Sequence, residues 1–113
     1  MQTFLEEYQG AEDETDKGRY KNSAILFSKA LFAMCDILIQ NKLNKLPKNH
    51  SERFRILEIY FKEVYWIVDE IFDKYTDSYS KPVLQETCEA IKNGIKKINE
   101  IAELPKEIKG IIE

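Results

Sequence analysis

The sequence predicts an all-α protein, an antiparallel up-and-down bundle of four to five helices. Three observations carry this. Apolar residues recur at alternating intervals of three and four through most of the chain, no segment alternates with period two long enough for a strand, and turn residues fall between the apolar stripes. At 113 residues the chain is read as a single domain, 1–113, large enough to bury a core without disulfides or metal. Charged residues are 33% and hydrophobic ones 43% of the chain, proportions of a globular rather than a disordered protein.

The first predicted helix covers Gln2 to Asp16, with Phe4, Leu5, Tyr8 and Ala11 on one side and acids on the other. Gly18 marks the break before a second helix, Arg19 to Leu43. There Tyr20, Ala24, Phe27, Leu31, Met34, Cys35 and Leu38 recur at helical spacing, and nearly every side is apolar between Ala30 and Ile39. Such a helix belongs at the centre of a bundle or against a second subunit, so a homodimer is expected. Pro47 breaks the chain next, and Asn49 with Glu52 three residues on forms a capping box for a third helix. The stripe Phe54, Leu57, Phe61, Val64, Val68, Ile71, Tyr75 predicts that this helix runs unbroken to about Lys74. Pro82 suits the first turn of a fourth, striped by Leu84, Cys88, Ile91, Ile95, Ile98 and Ala102. Pro105 ends it, and 106–112 forms a short final turn. The expected core is Leu31, Met34, Leu38, Phe61, Val68, Ile91, Ile95 and Ile98.

The net charge of -3 conceals a segregation. Residues 1–16 carry six acids and no base, whereas 42–55 carry Lys42, Lys45, Lys48, Arg53 and Arg55 against Glu52 alone. A basic stretch of this kind attracts phosphate. Cys35 and Cys88 fall on apolar stripes without a CxxC partner, which predicts buried free thiols and a reducing, cytoplasmic setting. The apolar run 30–39 is about half the length of a bilayer span and is interrupted by Asp36, so no membrane role is expected. With one histidine and both cysteines on core stripes, no metal site is predicted, and isolated glycines give no phosphate loop, so no cofactor is expected either.

The candidate functional residues lie at three places. His50 and Arg53 sit one helical turn apart, a spacing at which one moves a proton while the other stabilises negative charge. Asn22, Lys29 and Asp36 form a polar line on an otherwise apolar helix, and Lys29 and Asp36 each need a partner on another helix or subunit. Further on, Lys74, Tyr75, Asp77 and Tyr79 close the long helix with a cation, a carboxylate and two rings that can stack on bases.

Arg19-Tyr20 leading into Ser28-Lys29-Ala30-Leu31, then Asp36, the connection Lys45 to Phe54, and Tyr75 to Ser80 before another helix resemble the HEPN domain of small prokaryotic and archaeal proteins, over residues 17–103. That resemblance implies a helical bundle that commonly dimerises, acts as a ribonuclease or toxin or binds nucleotide, and often works beside a nucleotidyltransferase partner. The family's catalytic signature is an arginine followed after four to six residues by a histidine. Here Lys74 and Tyr79 stand in those places, and Asp77-Ser78-Tyr79 is closer to a variant ending in Asp-Tyr. A tyrosine titrating near pH 10 replaces histidine poorly. The expected function is therefore a non-enzymatic or weakly active component associated with RNA or nucleotide. The alternatives are an active metal-independent ribonuclease using Lys74, Asp77 and Tyr79, with His50 and Arg53 supplied by a neighbouring subunit, and a purely structural adaptor.

Overall fold

The computed structural model describes residues 2–112 and is all-helical among them. Its elements are α1 (Gln2–Asp16), α2 (Tyr20–Leu43), α3 (His50–Tyr60), α4 (Lys62–Asp77), α5 (Gln85–Ile101) and α6 (Lys106–Ile112). The apolar stripes decide the packing. α2 lies against α1, α3, α4 and α5, so its nearly all-round apolar surface is covered within one chain and does not by itself require a second subunit. α2 is also long and apolar enough to cross a bilayer, but 61% of its most apolar window is buried inside this fold. Leu31, Met34, Leu38, Val68, Ile91, Ile95 and Ile98 are buried as the stripes predict.

Local chemistry sets the helix ends. Gly18 sits at φ 76°, a left-handed conformation that a residue with a Cβ adopts only under strain, and its turn joins α1 to α2. Asn44 takes the left-handed position at the end of α2, where its N–H donates to the Gln40 carbonyl. At the start of α3 the Asn49 side chain accepts from the Glu52 N–H at 2.9 Å, and Glu52 reaches back to the Lys48 N–H at 3.2 Å. The Asn49 cap read from the sequence is formed, while Glu52 closes back on the residue before the cap rather than on Asn49 itself.

Three expectations are corrected. The predicted third helix is two helices, which raises the number of helices among the described residues to six. Phe61 stands between them at φ -138°, ψ 63°, yet its N–H still donates to Leu57 and its carbonyl still accepts from Tyr65, both at 2.8 Å. A straight helix would hold His50 and Tyr75 roughly 37 Å apart. Their rings are 6.1 Å apart, so α3 doubles back along α4. The gain is an aromatic contact between the two: Phe54 meets Phe72 at 5.0 Å and Tyr65 at 6.3 Å. Phe61 itself is half-buried at the turn rather than in the core. Pro82 and Leu84 also lie before α5, not in its first turn; Leu84 is the extended residue preceding the helix and is exposed. The same stripe still buries Cys88, Ile91, Ile95 and Ile98. α4 and α5 approach closely at Gly94, where an added Cβ would collide with Ile71 Cδ1.

Candidate functional site

The reversal at Phe61 brings α4 back to the start of α3, and both meet the middle of α2. Phe32 and Asp36 are one turn apart on α2 and so share a face. Into that face α3 projects His50 and Arg53, and α4 adds Phe72 and Tyr75.

Arg53 is the centre of the arrangement. Its Nε donates to Asp36 Oδ1 at 2.7 Å and its Nη2 to Asp36 Oδ2 at 3.0 Å, a two-pronged pairing that matches the planar fork to the carboxylate. Nη1 lies 2.7 Å from His50 Nδ1. Because guanidinium only donates, His50 accepts at Nδ1 and carries its proton on Nε2. The guanidinium also lies over the Phe32 ring, 5.4 Å from its centre, and its side chain is 11% exposed. The His50 ring is edge-on to Phe32 at 4.7 Å and to Phe72 at 5.3 Å. Burial in this aromatic wall, and then the Arg53 charge, hold His50 below the ordinary histidine range, with Asp36 opposing.

These contacts limit what the cluster does chemically. The only acceptor nitrogen of His50 is occupied by Arg53, so the ring is not a free general base. Arg53 has its charge matched by Asp36 and is not a free phosphate clamp. Next to them, the Tyr75 and Tyr79 hydroxyls are 3.2 Å apart. That hydrogen bond, with burial and the neighbouring phenol's charge adding to it, pushes Tyr75 up to about 12, so it stays protonated at neutral pH.

The structure thus brings together Asp36, His50, Arg53, Tyr75 and, at its margin, Tyr79. His50 and Arg53 reach this patch in the same chain as the tyrosines, so no neighbouring subunit is needed to supply them. Lys74 is half-buried one residue before Tyr75, and Asp77 pairs with Lys81 at 3.5 Å on the exposed turn. Lys29 does not join the cluster: it is exposed, and its charge acts on Glu7 of α1. Asn22 is exposed as well, so of the predicted polar line only Asp36 is enclosed. Sequence reasoning missed Phe32 and Phe72. Their signal was present in the spacing, four residues before Asp36 and three before Tyr75.

Beyond the tether, Lys42, Lys45, Lys48 and Arg55 are exposed, and among the described residues none lies within ion-pair distance of a carboxylate. Lys42 lies at the end of α2, Lys45 and Lys48 in the connecting loop and Arg55 on α3, a stretch referred to below as the basic ridge. A cleft of about 490 Å³ lies instead at the opposite end of the α3–α4 pair, lined by Leu38, Lys42, Phe61, Val64 and Ile101 among others. It holds none of the clustered residues. Among the described residues no group of three His, Cys, Asp or Glu is placed to hold a metal ion. Cys35 and Cys88 are buried free thiols, and burial pushes Cys35 up to about 12. Compared with known protein families, curated proteins and solved structures, the chain finds no match.

Proposed function

We propose that this chain is a HEPN-like module, its helices forming an antiparallel up-and-down bundle, that binds RNA or nucleotide through phosphate contacts and does not cleave it. One observation carries the reading. The residues suited to acid–base chemistry are occupied by one another, whereas the cations of the basic stretch are free: Arg53 is held by Asp36 and His50, while Lys42, Lys45, Lys48 and Arg55 have no carboxylate within ion-pair distance among the described residues. Free cations meet phosphate; a neutralised one does not. Tyr79, 53% exposed and reached from His50 through Tyr75, offers a ring to an unstacked base at the margin of the ridge. Lys74 adds a further cation at this end. A nucleotidyltransferase-type partner belongs to the same reading.

The test is binding of a labelled single-stranded RNA followed by anisotropy, with the products resolved on a gel in the presence of chelator. Affinity should fall steeply between about 50 and 200 mM salt, and Lys48→Ala or Arg55→Ala should each reduce the salt slope by about one. The RNA should remain intact. Absence of salt-dependent binding would remove the proposal.

A second reading, a metal-independent ribonuclease, is favoured by one feature: His50, Arg53, Tyr75 and Tyr79 converge, with the His50 Nε2 proton available to donate. Chelator-resistant cleavage lost in both His50→Ala and Tyr79→Phe would establish it in place of the first.

A further inference from the structure

A cavity of about 420 Å³ lies between α5 and α6, walled by Lys96, Asn99 and Glu100 of α5 and by Lys109 and Ile112 of α6. Its volume is within the range of small-molecule sites, about 300–1,000 Å³. Spacings of three and four place Lys96, Asn99 and Glu100 on one face of α5, and the buried Ile108 and Ile112 hold α6 beside it. Asn99 is the unusual member, a carboxamide only 4% exposed that follows the apolar stripe of Ile91, Ile95 and Ile98. Its backbone carbonyl, one of the last four of the helix, accepts from Lys109 Nζ at 2.7 Å. Its side-chain Oδ1 is enclosed and has no hydrogen-bond partner among the described residues. An enclosed acceptor is costly until a donor meets it. Because the carboxamide lines the cavity, rotation about χ2 turns Oδ1 to a donor placed there. Lys96 and Glu100 are exposed and four residues apart, a spacing at which opposite charges can pair. Neither is within ion-pair distance of the other or of any other described group, and Lys109 has no carboxylate partner among the described residues.

The cavity therefore offers two kinds of group. Asn99 Oδ1 and the Glu100 carboxylate call for a cationic donor, while the Lys96 and Lys109 ammonium groups call for an anion. A simple anion such as phosphate would meet the lysines, but it would face Glu100 and leave Oδ1 without a donor. A simple amine would do the reverse. A molecule with an ammonium and a carboxylate on one carbon answers all four. We propose that this cavity binds a free α-amino acid with a small aliphatic side chain. Its ammonium donates to Asn99 Oδ1 and faces Glu100, its carboxylate accepts from Lys96 and Lys109, and its side chain rests on Ile112. An orphaned amide that weakens the ligand-free fold is kept because the ligand uses it. The site shares no residue with the basic ridge or the aromatic cluster, so it stands independently of the phosphate reading.

The experiment is titration of the full, nitrogen-15-labelled chain with glycine, L-alanine and L-valine up to about 10 mM, followed by amide spectra. The Asn99 side-chain amide and the backbone amides of 96–100 and 109–112 should shift along one saturable curve. Lactate, which lacks the ammonium, and ethylamine, which lacks the carboxylate, should each bind at least about tenfold more weakly than L-alanine. Asn99→Leu removes the unmet acceptor. It should weaken L-alanine binding at least about tenfold and move the denaturant midpoint of the ligand-free chain upward, a rise that a purely structural asparagine would not give. Lys96→Gln and Glu100→Gln change exposed positions, and circular dichroism establishes that they fold. Each should weaken L-alanine binding, so the test survives a failure of Asn99→Leu to fold. Absence of a saturable shift at these residues with all three amino acids overturns the proposal. So does lactate binding as tightly as L-alanine, or L-alanine binding that is unchanged in both Lys96→Gln and Glu100→Gln. An Asn99→Leu chain that is less stable than wild type and still binds L-alanine normally also overturns it.

Discussion

Arg53 and Arg55 are two residues apart on α3 and have opposite fates. Arg53 points inward, 11% exposed, with Nε, Nη1 and Nη2 each making one hydrogen bond, two to Asp36 and one to His50. Arg55 points outward into solvent, with no carboxylate within ion-pair distance among the described residues. In sequence they contribute equally to one basic stretch. In the fold one is part of the joint that fixes α3 against α2, and the other is available surface charge. Counting charges along a chain therefore overstates what a ligand meets, because a helix turns successive residues to different sides.

The contrast between the two sides of α3 can be broken at measurable points. On the inward side, Leu57→Ala should cost roughly 2–5 kcal/mol, since Leu57 is fully buried and its loss leaves a cavity; denaturant unfolding measures it. Arg53→Met should cost about 3 kcal/mol by leaving Asp36 enclosed without its partner. The double variant Asp36→Leu/Arg53→Met should recover most of that loss, because an apolar pair removes both the charge and its need. A double variant as unstable as the single would mean that the pair stabilises beyond its own neutralisation.

A smaller, pH-dependent effect belongs to His50. Its folded pKa lies below the ordinary value, so the unfolded chain binds the proton more readily. The stability it contributes is complete above about pH 6.5 and is lost as pH falls through that value and then through the lowered folded one. Protonation also places a proton on the nitrogen that accepts from Arg53. His50→Gln should flatten the stability–pH curve below about pH 6.5 relative to wild type. The smallest effect on stability is on the outward side. Arg55→Ala should change it by less than about 0.5 kcal/mol while weakening RNA binding. Loss of stability without loss of binding would erase the distinction drawn between the two arginines.

Much of this was legible in the sequence. The bounds of α1, the Asn49–Glu52 cap and the need of Asp36 for a partner on another helix all follow from residue type and spacing. The reversal at Phe61 was not, because its cause is absent from local chemistry. No Gly or Pro marks it, the helical spacing of apolar residues passes through it without a gap, and the flanking backbone hydrogen bonds are kept. The contacts that distinguish the folded-back pair from a continuous helix join residues far apart in sequence, Phe54 with Phe72 and Tyr65 and His50 with Phe72 and Tyr75. That reversal in turn assembles the cluster. Its members could be named individually from sequence, but joining His50 to Tyr75 required knowing that 25 residues of apparent helix double back.

The way α5 is fastened has a consequence for the order of folding. α1 with α2, and α3 with α4, meet through residues near in sequence, so their contacts close short loops. α5 is tied to the beginning of the chain: Cys88 Sγ donates to the Tyr20 carbonyl at 3.2 Å, and Lys92 pairs with Glu12 at 3.0 Å, 80 residues away. Closing those loops costs more chain entropy, which favours two helical pairs forming early and α5 docking upon them last. Amides of α5 should then gain protection from hydrogen exchange later than those of α2 during refolding, and Lys92→Ala should speed unfolding more than it slows folding.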